Sequence, residues 1–269
     1  MDNNEKYNLV ICGASCTADS PWKTWADLVE ARYSVNCKNV GRKGIGNEAI
    51  ITKTLAEALK TNNPIVAIML TSVDKWDWYT QDKIVLDKIQ NEKHTGFKID
   101  NEYDGAYWGT GSHFPLWKEY YHKNYYSLRN MVLNTIKHTD LLIKTCRSKG
   151  WPFFIGADYS IFSYTESQSN KDYDAVKHNT DTALIDNTVE VFYNEIKDHI
   201  DVKGMLKTGD DSDLPVLHKR YGLHPGTAVH YEYCKKQLFP FFDKYLQVKN
   251  NDIENIVNTE QNLWKDTNR

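Results

Sequence analysis

The sequence predicts a doubly wound α/β fold on a mostly parallel sheet, in one domain. Three observations predict it. Apolar runs bounded by turn residues recur at 7–13, 34–40, 64–70 and 152–157, as expected for short strands covered on both faces. Helical patterns alternate with these runs. No internal repeat or low-complexity linker divides the 269 residues.

The first run, Leu9 to Cys12, ends in Gly13 and opens into a polar stretch carrying Ser15 and Thr17. A helix is expected over 21–32, announced by Asp19-Ser20 as cap and Pro21 as first helical residue. Its Trp22, Trp25, Ala26, Leu28 and Val29 share one face. The second run is interrupted by Asn36 and Lys38, and the helix after it (47–60) carries Ile50, Ile51, Leu55, Ala58 and Leu59. A long helix is expected over 118–149 with a bend near Thr139, and another over 174–198. A last core helix, 228–246, follows His224-Pro225-Gly226. The domain spans 1–249, and 250–269 reads as an amphipathic tail helix with Ile253, Ile256, Val257, Leu263 and Trp264. Two stretches break the alternation: 94–117, rich in glycine and aromatics, and 201–223, rich in Asp and Gly. Loops of that length in a compact domain are usually functional or disordered.

Composition excludes several classes of partner. The chain is 41% hydrophobic and 26% charged, the make-up of an ordinary globular protein. A net charge of −3 without a dense Lys/Arg cluster gives no basis for nucleic-acid binding. No apolar run approaches the roughly 18 residues of a membrane span. The polar N-terminus lacks the form of a secretory signal, so synthesis in the cytoplasm without a signal peptide is expected. Five scattered cysteines contain no C-x-x-C pair, and no histidines stand at metal-ligand spacing on a helix, so neither a metal nor another cofactor is expected.

Ser15 is the first candidate for chemistry. The turn between a strand and a helix exposes a hydroxyl and points backbone N–H groups at it. The same position suits a residue that merely caps the helix. His224 is the best base among nine histidines, since His-Pro-Gly holds its ring at a helix entrance. Gly41-Arg42-Lys43-Gly44-Ile45-Gly46-Asn47 is glycine-rich but matches neither the P-loop nor the dinucleotide fingerprint. A backbone that flexible at a helix entrance suits an oxyanion donor. Thr71 and Ser72, at the end of the third strand, carry hydroxyls that suit the same task. Tyr107, Trp108 and His113 in the aromatic insert, with Asn47, are candidate substrate contacts.

In order and at strand ends, these segments resemble the SGNH (GDSL-type) hydrolase superfamily. Its first block, G-D-S-x-[ST], is matched by Gly13-Ala14-Ser15-Cys16-Thr17, with Ala for Asp. The second is matched by Asn39-Val40-Gly41-Arg42-Lys43-Gly44, and Gly44 to Ile50 is similar to a branch met in phage and environmental bacterial proteins. The third, G-x-N-D, stands as Thr71-Ser72-Val73-Asp74 and keeps only the Asp. The last, D-x-x-H-P, stands as Tyr221-Gly222-Leu223-His224-Pro225, with Tyr for Asp.

The resemblance implies a single three-layer α/β/α sandwich and a serine esterase. Ser15 would be the nucleophile and His224 the base. Ser15, Gly44 and Thr71 or Ser72 would form the oxyanion hole. Asp213, Asp211 or Asp210 would stand in for the missing acid. The implied substrate is a small-molecule or glycan O-acyl ester, such as an acetyl ester of a carbohydrate. The alternative is a catalytically weak module of the same fold serving binding or assembly, as a homo-oligomer or on a virion.

Overall fold

The computed structural model describes residues 7–18, 20, 22–33, 35–71, 73, 77, 128–158, 187–201, 205 and 226–267. Four strands, β1 (Asn8–Gly13), β2 (Asn36–Asn39), β3 (Pro64–Leu70) and β4 (Phe153–Ala157), form one parallel sheet in the order β2-β1-β3-β4. The helices between them are α1 (Trp25–Arg32), α2 (Asn47–Ala58) and α3 (Leu128–Lys149). After β4 come α4 (Asn187–Asn194), a 3-10 turn (Lys197–His199), α5 (Thr227–Tyr233), a π turn (Cys234–Leu238), α6 (Phe239–Phe242) and α7 (Ile253–Thr267). Among the described residues no helix is long and apolar enough to cross a membrane.

The two-residue period of the strands explains the layers. Val10, Cys12, Val66, Ile68 and Leu70 pack against Ile50 and Ile51 of α2, Val132, Ile136 and Ile143 of α3, and Val189 of α4. The alternate set, Leu9, Ile11, Ile65, Ala67 and Met69, packs against Trp25, Leu28 and Val29 of α1, Val229 and Tyr233 of α5, and Phe242 of α6. β3 is buried at all seven positions, which is why it reads as a continuous apolar run. The result is a three-layer α/β/α sandwich, as expected.

Several boundaries differ from the sequence reading, for local reasons. α1 starts at Trp25, not 21, because Asp27 reaches back to Thr24 and accepts from both its N–H (2.7 Å) and its hydroxyl (2.9 Å). That Thr-x-x-Asp cap fixes the helix start four residues later than the proline suggests. α3 runs as one helix across Thr139, the expected bend, and Thr139 is buried with its hydroxyl on the Thr135 carbonyl at 2.7 Å. The last core helix is not uniform: Pro240 has no N–H to give to the carbonyl four residues back, and a π turn precedes it. The tail does form a helix, α7, and buries Ile253 and Val257 in the core shared with α1 and α5. The side chains of Leu263 and Trp264 lie outside the description.

The connections leave β1 toward β2 on one side and resume at β3 on the other. The sheet therefore has its topological switch between β1 and β3, and the crevice outside the carboxyl ends of these two strands is where open α/β sheets bind ligands. Ser15 follows β1 and Thr71 follows β3 at that end. Beyond β4, Ile200 makes a single parallel bridge to Ile155, and the Asp201 N–H donates to the Ile155 carbonyl at 3.0 Å.

Candidate active site

After Gly13 the chain closes one tight turn. The Ala14 carbonyl accepts from the N–H of Thr17 (3.0 Å) and of Ala18 (2.9 Å), with Ser15 on the turn between. The two hydroxyls of this turn have different fates. Thr17 is fully buried, and its hydroxyl accepts from the indole N–H of Trp25 at 2.9 Å. Ser15 is half-buried, and among the described residues none bonds its hydroxyl. Thr17 is thus part of the frame, and Ser15 is the hydroxyl left for chemistry.

The loop after β2 is clamped onto this turn. Asn39 donates its side-chain amide to the Thr17 carbonyl (2.7 Å) and accepts from the Gly41 N–H (2.9 Å). The Arg42 N–H donates to the Gly13 carbonyl at 3.1 Å. The approach is close enough to exclude side chains. A Cβ on Gly41 would lie 2.9 Å from the Gly13 carbonyl oxygen, and one on Gly13 would fall on the Thr17 hydroxyl. Gly44, on the same β2 exit loop, adopts φ +84 and faces open space, with nothing within 4 Å of where a Cβ would be. An L side chain rarely takes that conformation, so glycine there sets the direction of its own N–H.

The start of α2 is less available than a bare helix N-terminus. Asp77 accepts from the N–H groups of Gly46 (2.6 Å) and Ala49 (2.8 Å), so a carboxylate from beyond β3 caps the helix. No local pattern marks Asp77 for this task, because it lies about thirty residues downstream of the helix start it caps.

Asn47 was expected at the substrate; that expectation is corrected. Its amide donates to the Thr71 carbonyl (3.0 Å) and to the Thr135 hydroxyl (3.3 Å), and its oxygen accepts from the Thr71 N–H (2.8 Å). At 3% exposure it is a latch joining α2, the end of β3 and α3. Thr71, whose hydroxyl was expected at the oxyanion, is fully buried with both backbone groups on Asn47, so it belongs to the frame and the expected role passes to Ser72 alone. Val73, two residues further on, is buried in the apolar core. Replacing Asn47 with Ala leaves the buried Thr71 N–H without its acceptor, and a loss of about 2–3 kcal/mol is expected. Urea unfolding of Asn47→Ala checks this; a change under about 0.5 kcal/mol would remove the latch from the account.

Ser72, Asp74, Tyr107, Trp108, His113, Asp210, Asp211, Asp213, Tyr221 and His224 lie outside the described residues. His224 precedes by two residues Gly226, the N-cap of α5. His230, in α5, is fully buried. Tyr233 is buried against β4 beside Gly156, and burial first, then the nearby Asp201, raises its hydroxyl well above the ordinary range.

The thiols are not alternatives to Ser15. All five cysteines are free, and four are fully or nearly fully buried. Burial pushes Cys12 and Cys146 from 9.0 up to about 12, which keeps them as neutral thiols. A group whose folded pKa is raised adds stability that is complete below its unfolded value and lost as pH climbs toward the folded one. Stability is therefore expected to fall between pH 9 and 12. Urea midpoints at pH 8 and about pH 10.5 measure it, and equal midpoints would contradict the burial of these thiols. Among the described residues no group of three or more His, Cys, Asp or Glu is gathered for a metal ion.

No protein-family model matches the chain, and no curated protein matches it. Solved structures similar to it include the psychrotrophic esterase EstA from Pseudoalteromonas sp. inhibited by monoethylphosphonate, at 12% identity and a TM-score of 0.42, covering 88% of this chain and 97% of that one. A protein from Streptococcus pneumonia described as a candidate platelet activating factor is similar at 12% identity and a TM-score of 0.42, covering 91% of this chain and 86% of that one. A member of the lipolytic protein G-D-S-L family from Veillonella parvula is similar at 16% and 0.39, covering 87% and 98%. Likeness at this level assigns no chemistry, which has to come from the chain's own residues.

Proposed function

We propose that the protein is a serine esterase of the SGNH type, acting on O-acyl esters such as acetyl groups on a carbohydrate. One observation carries this reading: Ser15 stands half-buried on a turn at the topological switch, and the next loop, with Gly44 in a left-handed conformation, is clamped beside it by Asn39. Ser15 Oγ attacks the ester carbonyl carbon while His224 takes its proton. The N–H groups of Ser15 and Gly44 meet the oxyanion. The tetrahedral species collapses, the alcohol leaves with the proton from His224, and water then releases the acid from the acyl-enzyme. The Ser72 hydroxyl is the proposed third donor. The acid behind His224 falls to Asp213, Asp211 or Asp210. The aromatic insert with Tyr107, Trp108 and His113 is the proposed contact for the alcohol, on its composition.

The experiment is labelling with a fluorophosphonate, which reacts with an activated serine. Labelling at Ser15 supports the esterase. A second reading is favoured by Val73, whose buried apolar side chain leaves the oxyanion site without the donor of the related pattern. It makes the chain a binding or assembly module, on a virion or another surface. Stable oligomers with an unlabelled Ser15 would choose it.

A further inference from the structure

The C-terminal helix α7 bonds the first residue of α5 and the chain just before α1. The Glu260 carboxylate accepts from the Thr227 hydroxyl at 2.6 Å and from the Lys23 backbone N–H at 3.1 Å, both through Oε2. Thr227 is the first residue of α5, three residues after His224, and is buried. Lys23 lies in the segment that leads from the Ser15 turn into α1, one residue before the Thr24 cap. One oxygen on a helix more than thirty residues past His224 therefore ties both segments together.

Anchoring of α7 does not depend on this bond. Ile253 and Val257 already bury its apolar side in the core shared with α1 and α5. What Glu260 adds is direction and register. A short, charge-assisted bond ties the first residue of α5 to the chain before α1 at the one point where both helices begin.

We propose that Glu260 is a positioning residue, holding the entrance of α5, and with it the His224 segment, in register with the Ser15 segment. This rests on the esterase reading of Ser15 and His224. Without the bond α7 stays docked by its apolar side, while the entrances of α1 and α5 lose the polar tie between them. Misplacement of reacting groups by a fraction of an ångström to one ångström lowers turnover by about ten- to a hundredfold with little effect on substrate binding.

Glu260→Ala and Thr227→Val remove the same bond from opposite ends, and Glu260→Gln keeps an acceptor oxygen. With p-nitrophenyl acetate well below the melting temperature, the first two variants are expected to lower kcat about tenfold with KM within about twofold. Glu260→Gln is expected to stay within about twofold of the parent. The rate of fluorophosphonate labelling at Ser15 should fall in parallel with kcat. A parent that labels while both Glu260→Ala and Thr227→Val label at its rate overturns the inference alone. A parent that never labels overturns the esterase reading and this inference with it. If Glu260→Ala does not fold, Thr227→Val decides the matter, because it leaves the carboxylate in place and changes one buried hydroxyl to a methyl.

Discussion

Ser15→Ala is expected to lower kcat/KM on p-nitrophenyl acetate by about 10³-fold and to abolish fluorophosphonate labelling, with the fold unchanged. The size follows from what surrounds the residue. A fully equipped serine site loses more, because its nucleophile acts with an oriented base and three oxyanion donors. In the proposed register Val73 stands at the position of one donor, and losing one is worth about 10²–10³ in turnover. In the same proposed register Tyr221 stands at the position of the acid behind His224. The parent rate is therefore expected to be modest, and removing the Ser15 hydroxyl leaves only the proposed oxyanion donors, the N–H groups at position 15 and of Gly44 and the Ser72 hydroxyl, to act. Stability should hardly change, since among the described residues the Ser15 hydroxyl bonds to none. Hydrolysis that persists unchanged in Ser15→Ala would move the chemistry elsewhere on the molecule.

Gly13→Ala should be the most damaging single methyl in the site. The added Cβ falls on the Thr17 hydroxyl, lies 2.7 Å from the Thr17 Cβ and 3.1 Å from the Met69 carbonyl oxygen. None of these can yield cheaply. Thr17 is fully buried, its hydroxyl holds the indole N–H of the buried Trp25, and its carbonyl holds Asn39. Moving it breaks both bonds, unseats the loop that carries Gly44, and overpacks the end of β1. A loss of about 3–5 kcal/mol is expected, from overpacking together with buried polar groups left unpaired. Chemical denaturation of Gly13→Ala measures it, and a loss below about 1 kcal/mol would show that the turn relaxes freely.

The strands were legible in the sequence because their burial is simple. β3 is covered on both faces and its seven residues read as one apolar run. β1 shares that environment, and β4 ends on buried Ile155, Gly156 and Ala157. β2 was the least legible, and the structure shows why: Asn36, Lys38 and Asn39 are exposed on an edge strand, where no apolar pattern is required. Helix starts were harder, because caps are made by whichever polar group arrives. Thr24 with Asp27 was within local reach, but Asp77 on α2 was not.

By itself, the sequence determined that the chain alternates strand and helix, that Gly13-Ala14-Ser15 follows the first strand, and that a glycine-rich loop follows the second. These are local matters, settled by side-chain period and by turn residues within a few positions. Only the tertiary structure decided which polar groups are spent on the frame. It took Thr17, Asn39, Asn47 and Asp77 into bonds spanning 8 to 88 residues and left the Ser15 hydroxyl outside them. It also gave the amphipathic tail its seat, with Glu260 of α7 bonding the entrance of α5. Hydrogen bonds of that separation exist only once the sheet order brings the loops together, and no pattern in the chain announces them.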